Sequence, residues 1–122
     1  MPDSSVQRVL NKGGCKLKVV EYVTPLGRDG RRRTRHVRVK NNIIEFIVQY
    51  ELKIKDEWYP VVRYDTVHGF AHKDIVPYKG EARKETLPFN DFSLALTFAE
   101  KDLRDNWQKY REQYLKEIEK ND

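Results

Sequence analysis

Two histidines, two aspartates, an arginine and a tyrosine crowd into the stretch Arg63–Asp74, RYDTVHGFAHKD. Histidine is the side chain best able both to take and to give a proton near neutral pH. His68 and His72 flanking a phosphodiester, with Arg63 to stabilise the phosphorane, form a workable metal-free ribonuclease arrangement. Asp65 or Asp74 would then hold the tautomer of one imidazole, with Tyr64 beside them. The same residues read in two other ways. His68, His72 and Asp74 form a three-ligand set for a metal ion with one open position, although H-x-x-x-H is a less specific signature on a strand and turn than on a helix, where that spacing fixes one face. Asp, His and Gly are also ordinary turn residues, and a His–Asp pair can simply lock a hairpin. All three readings stand on the residues alone. The acid–base reading, which calls for no metal or other cofactor, leads among the functional ones.

For these groups to converge, strands must carry them. Residues i and i+2 of a strand share a face, so His72 and Asp74 point the same way, about 6–7 Å apart. A tight turn at Gly69 brings His68 near, and Asp65 lies opposite across that turn. The alternation of apolar residues predicts strands over 15–23, 31–40, 43–55, 58–65 and 70–77. The clearest is IIEFIVQYELKIK, with Ile44, Phe46, Val48, Tyr50, Leu52 and Ile54 on one face. Residues 1–14, polar and ending in Gly13-Gly14, read as a loose arm, and residues 78–86 as a charged surface loop. From Asp91 to about Glu119, Phe92, Leu96, Ala99, Leu103, Trp107, Tyr110, Tyr114 and Ile118 step by three or four, the signature of a helix, capped by Asn90 or Asp91. The expected fold is therefore α+β in one domain: arm 1–14, β-rich body 15–88 and C-terminal helix 89–119, with a mostly antiparallel sheet of about five strands and the helix packed on one face. The aromatic second half of the helix either finishes the core or overhangs it, where it would suit a partner or a homodimer.

Charge is unevenly spread. Residues 1–40 carry eleven Lys and Arg against three acids, a surplus of eight, whereas residues 41–122 carry thirteen against sixteen, a deficit of three. Arg28, Arg31, Arg32, Arg33, Arg35, Arg38 and Lys40 make residues 28–40 a basic hairpin, the usual footprint of a polyanion such as RNA or DNA. The same charge also serves to keep an edge strand from aggregating. No apolar run approaches the length of a membrane span. The opening residues show no secretory h-region, and the single cysteine, Cys15, has no internal disulfide partner. A cytoplasmic protein is the expectation.

The motif R-Y-D-x-x-H-G-x-x-H-x-D, Arg63 to Asp74, looks like the signature of a small prokaryotic family with the same order of parts: a strand pair, this motif, a charged loop, then L-P-F and a long helix. The resemblance covers roughly residues 43–115. More loosely, R-Y-D followed by histidines resembles the TumE-type toxins of toxin–antitoxin pairs, which crowd more histidines into this segment. The resemblance implies a ribonuclease or other RNA-acting role and a small antitoxin-like protein partner. The alternative drawn from the residues themselves is a non-enzymatic module that binds nucleic acid or an acidic protein through the basic hairpin.

Overall fold

The computed structural model describes residues 4–120; residues 1–3, the start of the expected arm, lie outside them. The fold is α+β, with strands β1 (Ser4–Lys12), β2 (Cys15–Pro25), β3 (Gly30–Val39), β4 (Asn42–Ile54), β5 (Glu57–Asp65), β6 (His72–Ile75) and β7 (Arg83–Thr86), followed by helix α1 (Phe92–Lys120). The strands form one antiparallel meander in sequence order. No helix among the described residues is long and apolar enough to cross a membrane.

The sheet has seven strands rather than about five. The stretch read as an arm is largely β1. Gly13 and Gly14 both take positive φ, 58° and 80°, with Lys12 opposite Cys15. That is a two-residue type I′ hairpin turn, a backbone that glycine adopts without steric cost. The other addition, β7, lies in the segment read as a charged loop and pairs along β6 from His72–Thr86 to Ile75–Arg83. Both extra strands extend the sheet through backbone hydrogen bonds and bury little side-chain area. They therefore lack the apolar alternation by which a strand is legible.

The core lies between β4, β5 and α1. Phe46, Val48, Tyr50 and Leu52 of β4 face Ala95, Leu96, Ala99 and Leu103 of the helix. Ile44, expected on this inward face, is 45% exposed. A bulge pairs Val37 with Glu45 and Arg38 with Ile43, leaving Ile44 unmatched and reversing the alternation there. Asp91 is the N-cap, its Oδ1 accepting the Ser93 N–H at 2.8 Å. The aromatic half of α1 does not overhang. Trp107 and Tyr110 are partly buried against the core, and Tyr114 meets Tyr78 edge to face at 6.1 Å. The aromatic stripe thus finishes the core, the first of the two alternatives read from the sequence.

Trp107 constrains the β2–β3 turn. Gly27 has φ +77°, and a Cβ there would lie 2.7 Å from the Trp107 ring. Gly27→Ala combines the left-handed backbone penalty of about 1–2 kcal/mol with displacement of a packed ring, about 1 kcal/mol or more. Chemical denaturation should register a loss of about 2–3 kcal/mol, whereas Gly80→Ala, at φ +99° with open space around it, should show the backbone penalty alone.

Candidate functional site

Alternation along the strands divides the motif between two faces. On β5, Tyr64 turns toward α1, whereas Arg63 and Asp65 turn away. On β6, Lys73 reaches the helix, whereas His72 and Asp74 point to the opposite face. Tyr64 therefore does not belong with the other five candidates. Its hydroxyl donates to the carboxylate of Asp102, which also accepts from Tyr110 at 2.7 Å and, at its other oxygen, from Asn106 at 2.8 Å. The Lys73 ammonium lies 3.2 Å from Asp102 and 2.6 Å from the Tyr110 hydroxyl. Burial, together with the bond to Asp102, pushes the Tyr64 hydroxyl far above its ordinary range.

On the face away from α1, register brings the remaining residues together: Asp65 sits opposite His72, and Arg63 opposite Asp74. The turn between β5 and β6 is tied by the Gly69 N–H donating to the Thr66 carbonyl at 3.0 Å, and the Thr66 hydroxyl accepts from the Phe46 N–H at 3.1 Å. Asp65 Oδ1 lies 2.7 Å from His72 Nε2 and also accepts the Val67 N–H at 3.2 Å. His72 Nδ1 lies 3.4 Å from the Phe70 carbonyl oxygen. His72, Asp65 and Asp74 are each at least nine-tenths buried. A donor atom of each lies within 4.8 Å of the other two. Asp74 Oδ1 has no hydrogen-bond partner among the described residues. His68, by contrast, is exposed, with its ring stacked on His72 at a centroid distance of 5.8 Å. The three-ligand set read from the sequence is thus altered: Asp65 takes the place of His68 beside His72 and Asp74.

The basic hairpin also divides. Arg31, Arg33 and Arg35 lie on the face away from the helix. Arg32 turns toward α1, 3.2 Å from Glu100, and donates to the Thr24 hydroxyl at 2.8 Å. Arg38 folds back on His36 at 3.4 Å, while Arg28 and Lys40 are exposed in the turns at opposite ends of β3. Residues 28–40 therefore present no single cationic surface. Much of their charge is matched by acids that the sequence does not place: Glu51 pairs with Arg31 at 2.7 Å and Arg33 at 3.4 Å, and Arg35 lies 3.2 Å from both Glu21 and Glu45. Trp58 lies under the Arg31 guanidinium at 3.7 Å.

A cavity of about 560 Å³ opens on this face, and its lining includes Arg33, Arg35, Ile47, Gln49, Arg63 and Asp65. Arg63 donates from Nε to Gln49 Oε1 at 2.7 Å. Gln49 and Glu51 are polar partners of these arginines that the sequence did not single out. Their period-two placement opposite the apolar row of β4 was readable, but their register with Arg33 and Arg31 was not.

The family model described as "Domain of unknown function (DUF7718)" matches residues 16–120, which span β2 to α1 and leave β1 outside. No curated protein and no solved structure matches the chain.

Proposed function

We propose that this chain, which belongs to the DUF7718 family, acts on RNA by taking its phosphate backbone on the sheet face turned away from α1. The observation that carries this reading is the convergence of Arg33, Arg35 and Arg63, from β3 and β5, on one cavity that Asp65 also lines. Guanidinium groups are forked donors matched to phosphate oxygens, and a concave face focuses their field. The nearby acids orient the guanidinium groups and moderate their charge, so binding depends on local geometry more than on the surplus of Lys and Arg in residues 1–40. The resemblance of Arg63–Asp74 to TumE-type toxins supports RNA as the nucleic acid and a small antitoxin-like protein as a partner.

Non-enzymatic binding is the form of this function that the geometry favours. His72 is buried, with both ring nitrogens directed at protein acceptors, so it has no nitrogen free to exchange a proton with substrate. A metal-independent ribonuclease remains the second reading, favoured by the exposed His68 ring stacked on the Asp65–His72 pair.

Fluorescence anisotropy with a labelled single-stranded RNA, titrated at several salt concentrations, tests the proposal. Each phosphate contact contributes roughly 0.7 to the slope of log affinity against log salt for single strands. Joint replacement of Arg33, Arg35 and Arg63 by alanine should lower that slope by about 2, whereas Arg28→Ala with Lys40→Ala should change it less. An unchanged slope in the triple variant, or no RNA binding by the wild type, overturns the reading. Stronger binding to duplex DNA would replace RNA with DNA. Chelator-resistant cleavage that His68→Ala abolishes would promote the ribonuclease reading.

A further inference from the structure

We infer that Asp65, His72 and Asp74 form a binding site for a divalent first-row transition-metal ion. The inference rests on the geometry of these three side chains and is independent of nucleic-acid binding.

The hydrogen bonds of His72 do not balance for a neutral ring. His72 Nε2 faces the Asp65 carboxylate at 2.7 Å, and Nδ1 faces the Phe70 carbonyl oxygen at 3.4 Å. Both partners are acceptors. A neutral imidazole has one N–H and can satisfy only one of them. The arrangement is complete if the ring carries two protons, or if a cation replaces the proton between His72 and Asp65. In the second case Nδ1–H donates to the Phe70 carbonyl, as metal-bound histidines commonly donate their other N–H to a backbone carbonyl.

Asp74 also lacks a partner that a cation would supply. Its side chain is at least nine-tenths buried, and Oδ1 has no partner among the described residues. Arg63, its register partner across β5 and β6, donates from Nε to Gln49 instead. A buried carboxylate oxygen without a donor is costly, and this one belongs to a cluster whose donor atoms lie within 4.8 Å of one another. Ligand bonds of about 2.0–2.2 Å place neighbouring donors roughly 3.0–3.5 Å apart. The Asp65–His72 separation need open by only a few tenths of an ångström, with Asp74 closing inward. One imidazole with two carboxylates suits Mn²⁺, Fe²⁺, Co²⁺ or Zn²⁺ better than Ca²⁺ or Mg²⁺, which favour all-oxygen sets. Asp65 also lines the cavity, which places the cluster at its margin.

Calorimetric titration of the chelator-treated protein with Co²⁺ and Zn²⁺, without RNA and on a Cys15→Ser background, tests the inference. One equivalent should bind, and Co²⁺ should develop a visible ligand-field spectrum. Asp74→Asn should lower affinity by more than the about 10–100-fold typical of outer-shell changes, whereas His68→Ala should leave it within a few-fold of the parent. No binding of either ion, equal affinity in Asp74→Asn, or loss of binding in His68→Ala overturns the site. Should Asp74→Asn fail to fold, paramagnetic shifts in Co²⁺-loaded parent protein decide: a shifted His72 ring supports the site, and a shifted His68 with His72 unmoved overturns it. RNA binding measured in chelator is a separate readout, so either proposal can fail without the other.

Discussion

Asp102→Ala is expected to destabilise the protein by about 3–5 kcal/mol, the cost of removing one partner from a buried ion pair. Asp102 sits under the sheet on α1, where it receives the hydroxyls of Tyr64 and Tyr110, the amide of Asn106 and the ammonium of Lys73. Its loss leaves a cation and two hydroxyls facing a cavity from which little water can compensate them; Lys73 and Asp102 side chains are only 12% and 11% exposed. Replacing the pair together, Asp102→Leu with Lys73→Met, should cost much less, because no orphaned charge remains. Urea denaturation of both variants distinguishes these outcomes.

The same network sets a pH window. Burial alone would raise the Asp102 pKa, but its bonds to Tyr64, Tyr110 and Asn106 and the charge of Lys73 bring it below the ordinary 3.8. Its contribution is complete above that value and is lost as pH falls through the depressed folded value. Burial raises the Tyr64 pKa from 10.0, reinforced by the bond to Asp102. Burial would lower that of Lys73, but Tyr110 and Asp102 outweigh it and raise the value above 10.5. Both contributions are full below their ordinary values and decline above them, Tyr64 from about pH 10 upward. The stability difference between wild type and Asp102→Ala should therefore be widest between about pH 4 and 10 and narrow on either side.

His72→Ala is expected to cost about 3 kcal/mol in chelator-treated protein. It removes the group facing Asp65 at 2.7 Å and leaves the Asp65 and Asp74 carboxylates buried in one cluster without the imidazole that contacts them. Asp74→Asn acts in the opposite direction. It removes a negative charge whose Oδ1 lacks a donor, so stability should hold or rise by about 1 kcal/mol. Added metal should reverse the order, stabilising the wild type above Asp74→Asn. Thermal melts of the three proteins, with and without Zn²⁺, measure both signs. Equal stability of wild type and His72→Ala would remove the His72–Asp65 contact from any structural role.

Short-range pattern was enough for several features. Period-two alternation placed β4 and its inward row, and it put His72 and Asp74 on one face. The step of three and four placed α1, and Asp91 was legible as a cap because a carboxylate can accept the free N–H groups of the first turn. The α+β class with an antiparallel sheet followed from these elements. Pattern could not count the strands: β1 and β7 join through backbone bonds, which leave little trace in side-chain type. It also misplaced Ile44, because a bulge depends on the pairing of two strands.

The composition of the site depended on register and on which face α1 covered. Tyr64 adjoins Arg63 and Asp65 in sequence, but the pleat sends it to the helix, where Asp102, 38 residues later, fixes its hydroxyl. Arg32 separates from Arg31 and Arg33 for the same reason, meeting Glu100 from the helix. Glu51 meets Arg31 and Arg33 only because β3 and β4 pair in one register. The sequence by itself determined that side chains able to do chemistry gather in Arg63–Asp74 and which strand neighbours share a face. Only the tertiary structure decided that Asp65 rather than His68 completes the cluster with His72 and Asp74. Distance between side chains on different strands is set by pairing and packing, and neither is encoded in their spacing along the chain.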